Sequence, residues 1–163
     1  MNADASLAPY RDSVRAEWVD YNGHLRDAYY LLVFSFAADA LIAHIGLDDA
    51  ARRARRRSIY TLEAHLNYLH EVRAGTPLRV ETRVVGHDAK RLHVYFEMFA
   101  DGAVELVAAC EQMLLHVDTD GPKAAPFDPD VAARVRALGD ADARRPPAAW
   151  LARVIGLRAQ APR

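Results

Sequence analysis

Residues 28–45 read AYYLLVFSFAADALIAHI, and a helix built from them is apolar on nearly every side. Such a helix needs cover over most of its circumference. A flat sheet covers one side only. A strongly curved sheet that wraps the helix covers more, so this one segment already narrows the architectures open to the chain. A membrane span is the competing use of an apolar run. This one is short, and Ser35, Asp39 and His44 interrupt it, so a buried core helix is expected and no membrane partner. Asp27 reads as its N-cap and Gly46 as its stop.

Beyond the helix the period changes. Residues 48–57 read as a charged connector ending in Arg52-Arg53-Ala54-Arg55-Arg56-Arg57. Residues 59–67 then read as a strand. Leu78, Val80, Thr82 and Val84 alternate with Arg79, Glu81, Arg83 and Val85, the mark of a half-buried strand. After a break at residues 86–90, Leu92, Val94, Phe96 and Met98 alternate in the same way. Asp101-Gly102 signals a hairpin, and residues 104–117 read as a last long strand. A first short strand is expected at residues 13–18. The class is therefore α+β: a long central apolar helix wrapped by a curved antiparallel sheet of about five strands. A second copy of the chain is the natural cover for an open sheet edge.

Composition bounds the rest. At 163 residues the chain suits one domain, with residues 1–127 as its main body. Residues 128–163 form a C-terminal extension of that same domain, carrying a short helix at 130–138. A net charge of -1, from 21 basic and 22 acidic residues, gives no general attraction to nucleic acid. Cys110 is the lone cysteine, so no intramolecular disulfide forms and a reducing, cytoplasmic setting is expected. The first ten residues lack the basic and apolar regions of a signal peptide. The seven histidines are scattered without metal-ligand spacing, and no metal or separate cofactor is expected.

The chemistry gathers just before the helix, in Trp18-Val19-Asp20-Tyr21-Asn22-Gly23-His24-Leu25-Arg26-Asp27. A helix start offers unpaired backbone N–H groups and the positive end of a dipole. With a carboxylate beside it, that is a place to attack a carbonyl and hold the resulting oxyanion. The plainer reading of Asp20 is a turn residue that caps Asn22 or Gly23.

Asp20-Tyr21-Asn22-Gly23-His24 directly before the central helix, with this order of elements, resembles the hotdog-fold acyl-CoA thioesterases of the 4-hydroxybenzoyl-CoA thioesterase group. The resemblance covers residues 13–118. Trp18 to His24, Tyr60 to His65, Leu69-His70-Glu71 and Gln112 to Asp118 are most similar to the betainyl-CoA thioesterases of carnitine breakdown, which are sometimes fused to a carnitine dehydrogenase. Arg26-Asp27 stands where many relatives have Asn-Asn. The resemblance implies hydrolysis of a small acyl-CoA thioester, betainyl-CoA as the specific case, with CoA part of the substrate. It also implies a homodimer or a dimer of dimers, with the site between subunits. An aryl- or acyl-CoA hydrolase without cationic preference, a dehydratase of the same fold and a non-catalytic acyl-CoA sensor are the rivals. The Asp20 turn does not suit a dehydratase, which pairs a His with an acid on a different element.

On that resemblance Asp20 is the reacting carboxylate, as nucleophile or as the base that activates water. Gly23 permits a tight turn and close approach of substrate. His24 orients water, polarises the carbonyl or caps the turn. Asn22 holds Asp20 or the water, or simply turns the chain. The backbone N–H near Asp27 is the expected oxyanion donor. Glu63 is either an exposed strand residue or, across a subunit interface, a second acid/base or the partner of a cationic acyl group. His65 shares its face by alternation. A trimethylammonium group wants aromatic faces and negative charge. Trp18, Tyr21, Tyr30, Tyr60 and Tyr68 are the candidates, each taken singly better explained as core packing, and two of the five are expected to line an acyl pocket. The run 52–57 and Lys90-Arg91 are candidates for the CoA phosphates, or solvated loops.

Overall fold

The computed structural model describes residues 7–156. Its sheet is antiparallel throughout. The strands are β1 (Tyr10–Ser13), β2 (Arg57–Tyr68), β3 (Pro77–His87), β4 (Arg91–Ala100), β5 (Leu106–Asp118) and the two-residue β6 (Lys123–Ala124). Their order is β1-β3-β4-β5-β2, with β6 on β5. The helices are α1 (Asp27–His44), α2 (Asp49–Arg55) and α3 (Pro129–Asp142).

The sheet curls round α1. Val33, Phe34, Ala37 and Leu41 of the helix are fully buried against Val80 of β3, Val94 and Phe96 of β4 and Ala108 of β5. Phe34 meets Phe96 with ring centroids 5.8 Å apart. Complete burial of such side chains is worth roughly 1.5–3 kcal/mol each. The wrapping is one-sided, however. Leu31, Ser35, Asp39 and Ala43 lie along an exposed row, with Leu31 40 % exposed. A single protomer thus leaves an apolar helix partly uncovered. Val131, Val135 and Leu138 of α3 join the same core.

Several local expectations are corrected. The first strand lies earlier, at Tyr10–Ser13, because it pairs with β3 from Tyr10↔Val80 to Ser13↔Pro77. Ala16–Trp18 is a 3-10 turn that buries Trp18. Arg26, with no side-chain cap, holds the cap position of α1, and Asp27 is the first helical residue. The charged connector contains α2, whose cap is Asp48 accepting the Ala51 N–H at 2.8 Å. Arg56 ends α2 in the left-handed region at φ 54. The C-terminal helix is longer than expected, since Gly139 does not stop it and the chain stays helical to Asp142. Asp142 then accepts the Val84 N–H at 2.7 Å, tying the end of α3 to β3.

Candidate active site

Residues 20–24 form a closed three-residue hairpin loop. The Asp20 N–H donates to His24 O and the Gly23 N–H to Asp20 O, both at 2.9 Å. Val19 and Leu25 bridge at its base. The loop closes through a left-handed residue, and Gly23 takes that position at φ +76. Nothing lies within 4 Å of where a Cβ would stand, so glycine is required by conformation, not by space.

Asp20 serves the turn with one oxygen. Its Oδ1 accepts the N–H of Asn22 at 2.8 Å and of His24 at 3.3 Å. Its Oδ2 takes no hydrogen bond among the described residues. Both readings of Asp20 therefore meet in one side chain: one oxygen holds the loop and fixes the carboxylate, and the other stays available.

The loop is clamped from the far side by residues 72–73. The Leu25 N–H donates to Val72 O at 2.8 Å, and His24 bridges Arg73. The His24 ring follows, with Nδ1 3.2 Å from Glu71 Oε2.

At the helix start the N–H groups are divided. Arg26 donates to Trp18 O and Tyr29 to Arg26 O, each at 3.0 Å. The Ala28 N–H donates to the Asp27 carboxylate at 2.8 Å. The Asp27 N–H finds no acceptor among the described residues, which makes it a free donor of the first turn.

These groups converge on a pocket of about 280 Å³. Asp20, Asn22, His24, Asp27, Tyr30 and Tyr68 line it. Tyr30 and Tyr68 meet edge to face, with centroids 5.3 Å apart at 80°. Their hydroxyls donate to backbone carbonyls, Tyr30 to His70 O at 3.3 Å and Tyr68 to Asp27 O at 3.4 Å. Burial, reinforced by nearby negative charge, holds both phenols above their ordinary pKa, so both remain donors at neutral pH. No Lys or Arg side chain lines the pocket, while three carboxylates do: Asp20, Asp27 and Glu71.

The chain that carries this loop-held carboxylate is similar to known proteins. A family model for the thioesterase-like superfamily matches residues 14–135. The chain belongs to that superfamily. It is 54 % identical, over 93 % of its length and 95 % of the relative, to a betainyl-CoA thioesterase of Pseudomonas aeruginosa. It is 44 % identical, over 88 % of its length and 29 % of the relative, to an L-carnitine dehydrogenase/betainyl-CoA thioesterase of Agrobacterium fabrum. A provisionally assigned thioesterase from Pseudomonas putida KT2440, known as a crystal structure, superposes with a TM-score of 0.81 at 45 % identity, covering 94 % of this chain and 98 % of that one. The fold is the hotdog thioesterase fold.

The other predicted residues of this thioesterase-like chain lie elsewhere. Trp18 is buried, stacked on Tyr29 at 5.6 Å with Arg15 over its outer side. Tyr21 stands at the tip of the loop, 95 % exposed. Tyr60 lies exposed on edge strand β2. Glu63 and His65 do share a face, but it is the one that carries His93 and Glu111, and with them they line a separate hollow of about 160 Å³. Within one protomer Glu63 thus stays apart from the Asp20 pocket. Of the five aromatic candidates, only Tyr30 and Tyr68 reach that pocket.

The arginine candidates for CoA phosphate are already engaged. Arg55 forks onto Asp130 at 2.8 and 2.9 Å, Arg56 meets Asp120 at 2.7 Å, and Arg57 meets Asp118 at 2.9 Å. Arg52 and Arg53 pair with Asp49, and Arg91 pairs with Asp88 at 2.6 Å. Each guanidinium is matched by an aspartate, so the run stitches surface elements together.

Sequence reasoning missed His70 and Glu71 as pocket residues. They sit in a stretch that carries part of the family resemblance, yet neither spacing nor composition marks a role for them. Among the described residues no group of three or more His, Cys, Asp or Glu is arranged to hold a metal ion, and no single helix is long and apolar enough to cross a membrane.

Proposed function

We propose that this chain is a betainyl-CoA thioesterase, releasing betaine and CoA. The observation that carries the reading is the meeting of the Asp20 carboxylate and the free Asp27 N–H on one pocket that is anionic and aromatic. The names of the relatives in Pseudomonas aeruginosa and Agrobacterium fabrum support the acyl group.

The thioester carbonyl oxygen takes the Asp27 N–H, where the helix dipole favours developing negative charge. Asp20 then acts in one of two ways. It takes a proton from water as the water oxygen bonds to the acyl carbon, or it bonds to that carbon itself and the mixed anhydride is hydrolysed next. In both routes the C–S bond breaks, the CoA thiolate leaves and is protonated, and water supplies the new carboxylate oxygen. The route calls for no metal and no cofactor beyond the CoA of the substrate. Asn22 and His24 keep the Asp20 loop closed around this chemistry.

We further propose that the working unit is a homodimer or a dimer of dimers. Among the described residues edge strand β2 is hydrogen-bonded only to β5, and it exposes Tyr60, Leu62 and Tyr68 at 44, 56 and 54 %. A bare apolar edge of this kind is a template for pairing. A second β2 beside the first would bring partner residues close to Tyr68, which lines the pocket. We assign the protein to the cytoplasm, in keeping with its lone cysteine: burial pushes the Cys110 thiol up to about 12 and leaves it unreactive.

Thiol release from betainyl-CoA tests the reading, with Asp20→Asn as the variant. Asn keeps the acceptor that closes the loop, so the variant folds. Its turnover is expected to fall by about 10²–10⁴-fold. Background release by the wild type, or undiminished turnover by the variant, would remove Asp20 from the chemistry.

A further inference from the structure

Three carboxylates line the Asp20 pocket, and they are not equivalent. Asp20 Oδ1 is held by two backbone N–H groups of its own loop. Asp27 Oδ1 is held by the Ala28 N–H. Glu71 accepts no backbone N–H among the described residues. Among the described residues its one ion-pair partner is His24 Nδ1, at 3.2 Å, and its side chain is 75 % exposed. Glu71 is nonetheless well placed. It precedes Val72, which is buried and whose carbonyl accepts the Leu25 N–H at 2.8 Å, and Arg73, which bridges His24.

We propose that Glu71 is the specificity residue of this site: with the Tyr30 and Tyr68 rings, its carboxylate receives the quaternary ammonium of the acyl group. The inference rests on the betainyl-CoA reading and adds a residue that neither the motif nor the strand pattern selects.

The geometry of the acyl group supports it. Betaine is N-trimethylglycine, so its nitrogen lies about 2.5 Å from the carbonyl carbon, the N-to-C span of any amino acid. A cation that close to the reacting carbon must share the pocket with Asp20. The receiving groups must therefore be next to the Asp20 loop, which excludes the Glu63 of the same protomer, in its separate hollow. A quaternary ammonium has no N–H, so it is recognised by charge and by aromatic surface, not by hydrogen bonds. Tyr68 suits that task, because it is 54 % exposed and its hydroxyl is spent on the Asp27 carbonyl, so what it offers the pocket is ring, and the buried Tyr30 holds that ring edge to face. No Lys or Arg side chain lines the pocket to repel a cation.

The test uses two thioesters of the same shape. Betainyl-CoA carries a trimethylammonium group. In 3,3-dimethylbutanoyl-CoA a quaternary carbon replaces the nitrogen, so size is kept and charge is lost. Thiol release gives kcat/KM for each ester with the wild type, Glu71→Gln and Glu71→Asp. The wild type is expected to favour the charged ester. Glu71→Gln is expected to lower the charged-to-neutral ratio about tenfold. Its turnover of the neutral ester should stay within about twofold of wild type, which also serves as the check on folding. Glu71→Asp should recover part of the ratio.

An unchanged ratio in Glu71→Gln overturns the proposal while leaving the thioesterase reading intact. An equal fall for both esters also overturns it, since Glu71 would then act through His24 on the shared chemistry. A wild type that hydrolyses only the neutral ester overturns the substrate reading and the inference with it. A wild type that hydrolyses neither overturns the activity itself.

Discussion

The free N–H of Asp27 can be removed without dismantling the helix. Asp27 is the first residue of α1, the one helical position where proline is welcome, because the N–H it lacks has no partner in the helix. The residue before a proline must be extended, and Arg26 already is, at φ -68 and ψ 144. Asp27→Pro therefore deletes one donor and leaves the backbone path unchanged. It also deletes the carboxylate that receives the Ala28 N–H, so Asp27→Ala is the matched control: both variants lose the side chain, and only one loses the N–H. Loss of the side chain is expected to cost each about 0.5–1 kcal/mol of stability. Loss of an oxyanion donor costs about 3–4 kcal/mol of transition-state stabilisation, a fall of about 10²–10³ in kcat. Thiol release read at saturating betainyl-CoA, with thermal melting followed by circular dichroism, should show two proteins of similar melting temperature. Asp27→Pro should be the slower by that factor. Equal kcat values at equal melting temperature would refute the assignment of the oxyanion to this N–H.

Two further outcomes follow from other parts of the molecule. Leu62→Lys puts a charge at the middle of the exposed β2 edge, and if the proposed β2 pairing holds, sedimentation equilibrium should report a smaller assembly for the variant than for the wild type; an unchanged assembly would move the interface off β2. The Asp130 carboxyl is held at about 2, below its ordinary 3.8, chiefly by hydrogen bonds from Arg55. A lowered folded-state value means that its stabilising contribution is complete above pH 3.8 and is lost as pH falls toward about 2, so urea unfolding should show stability declining in that window. Asp130→Asn should make the decline shallower, and an unaltered slope would show that the Arg55 pair is energetically idle.

Local pattern carried much of the architecture. The apolar run at 28–45 and the alternation at 78–85 and 92–99 became α1, β3 and β4, because burial on one stripe or one face is written directly in the spacing of side chains. Where a second element set the outcome, local reading failed. Residues 13–18 looked extended, but the strand lies at Tyr10–Ser13 because that is where β3 offers a partner. The arginine run looked like loop, but Asp48 caps its first part into a helix, Asp49 pairs with Arg52 and Arg53, and aspartates from residues 118–130 take up Arg55, Arg56 and Arg57.

The candidate site divides in the same way. The loop from Asp20 to His24 is bonded almost wholly within itself, so its residues were legible from five consecutive letters, the left-handed glycine included. Glu63 and His65 show the opposite case. Alternation put them on one face, but parity along a strand does not say which face looks toward α1; the register of β2 on β5 decided that, with Glu63 opposite Met113 and His65 opposite Glu111. Glu71 lies forty-seven positions beyond His24, and only the pairing of residues 72–73 with the turn brings the two together. The sequence by itself thus determined the central helix, the alternation of β3 and β4 and the Asp20 turn, each written in the spacing of residues adjacent along the chain. The tertiary structure alone decided which acids share a pocket, because proximity across a sheet is set by register and curvature, and neither is encoded in the spacing of any one segment.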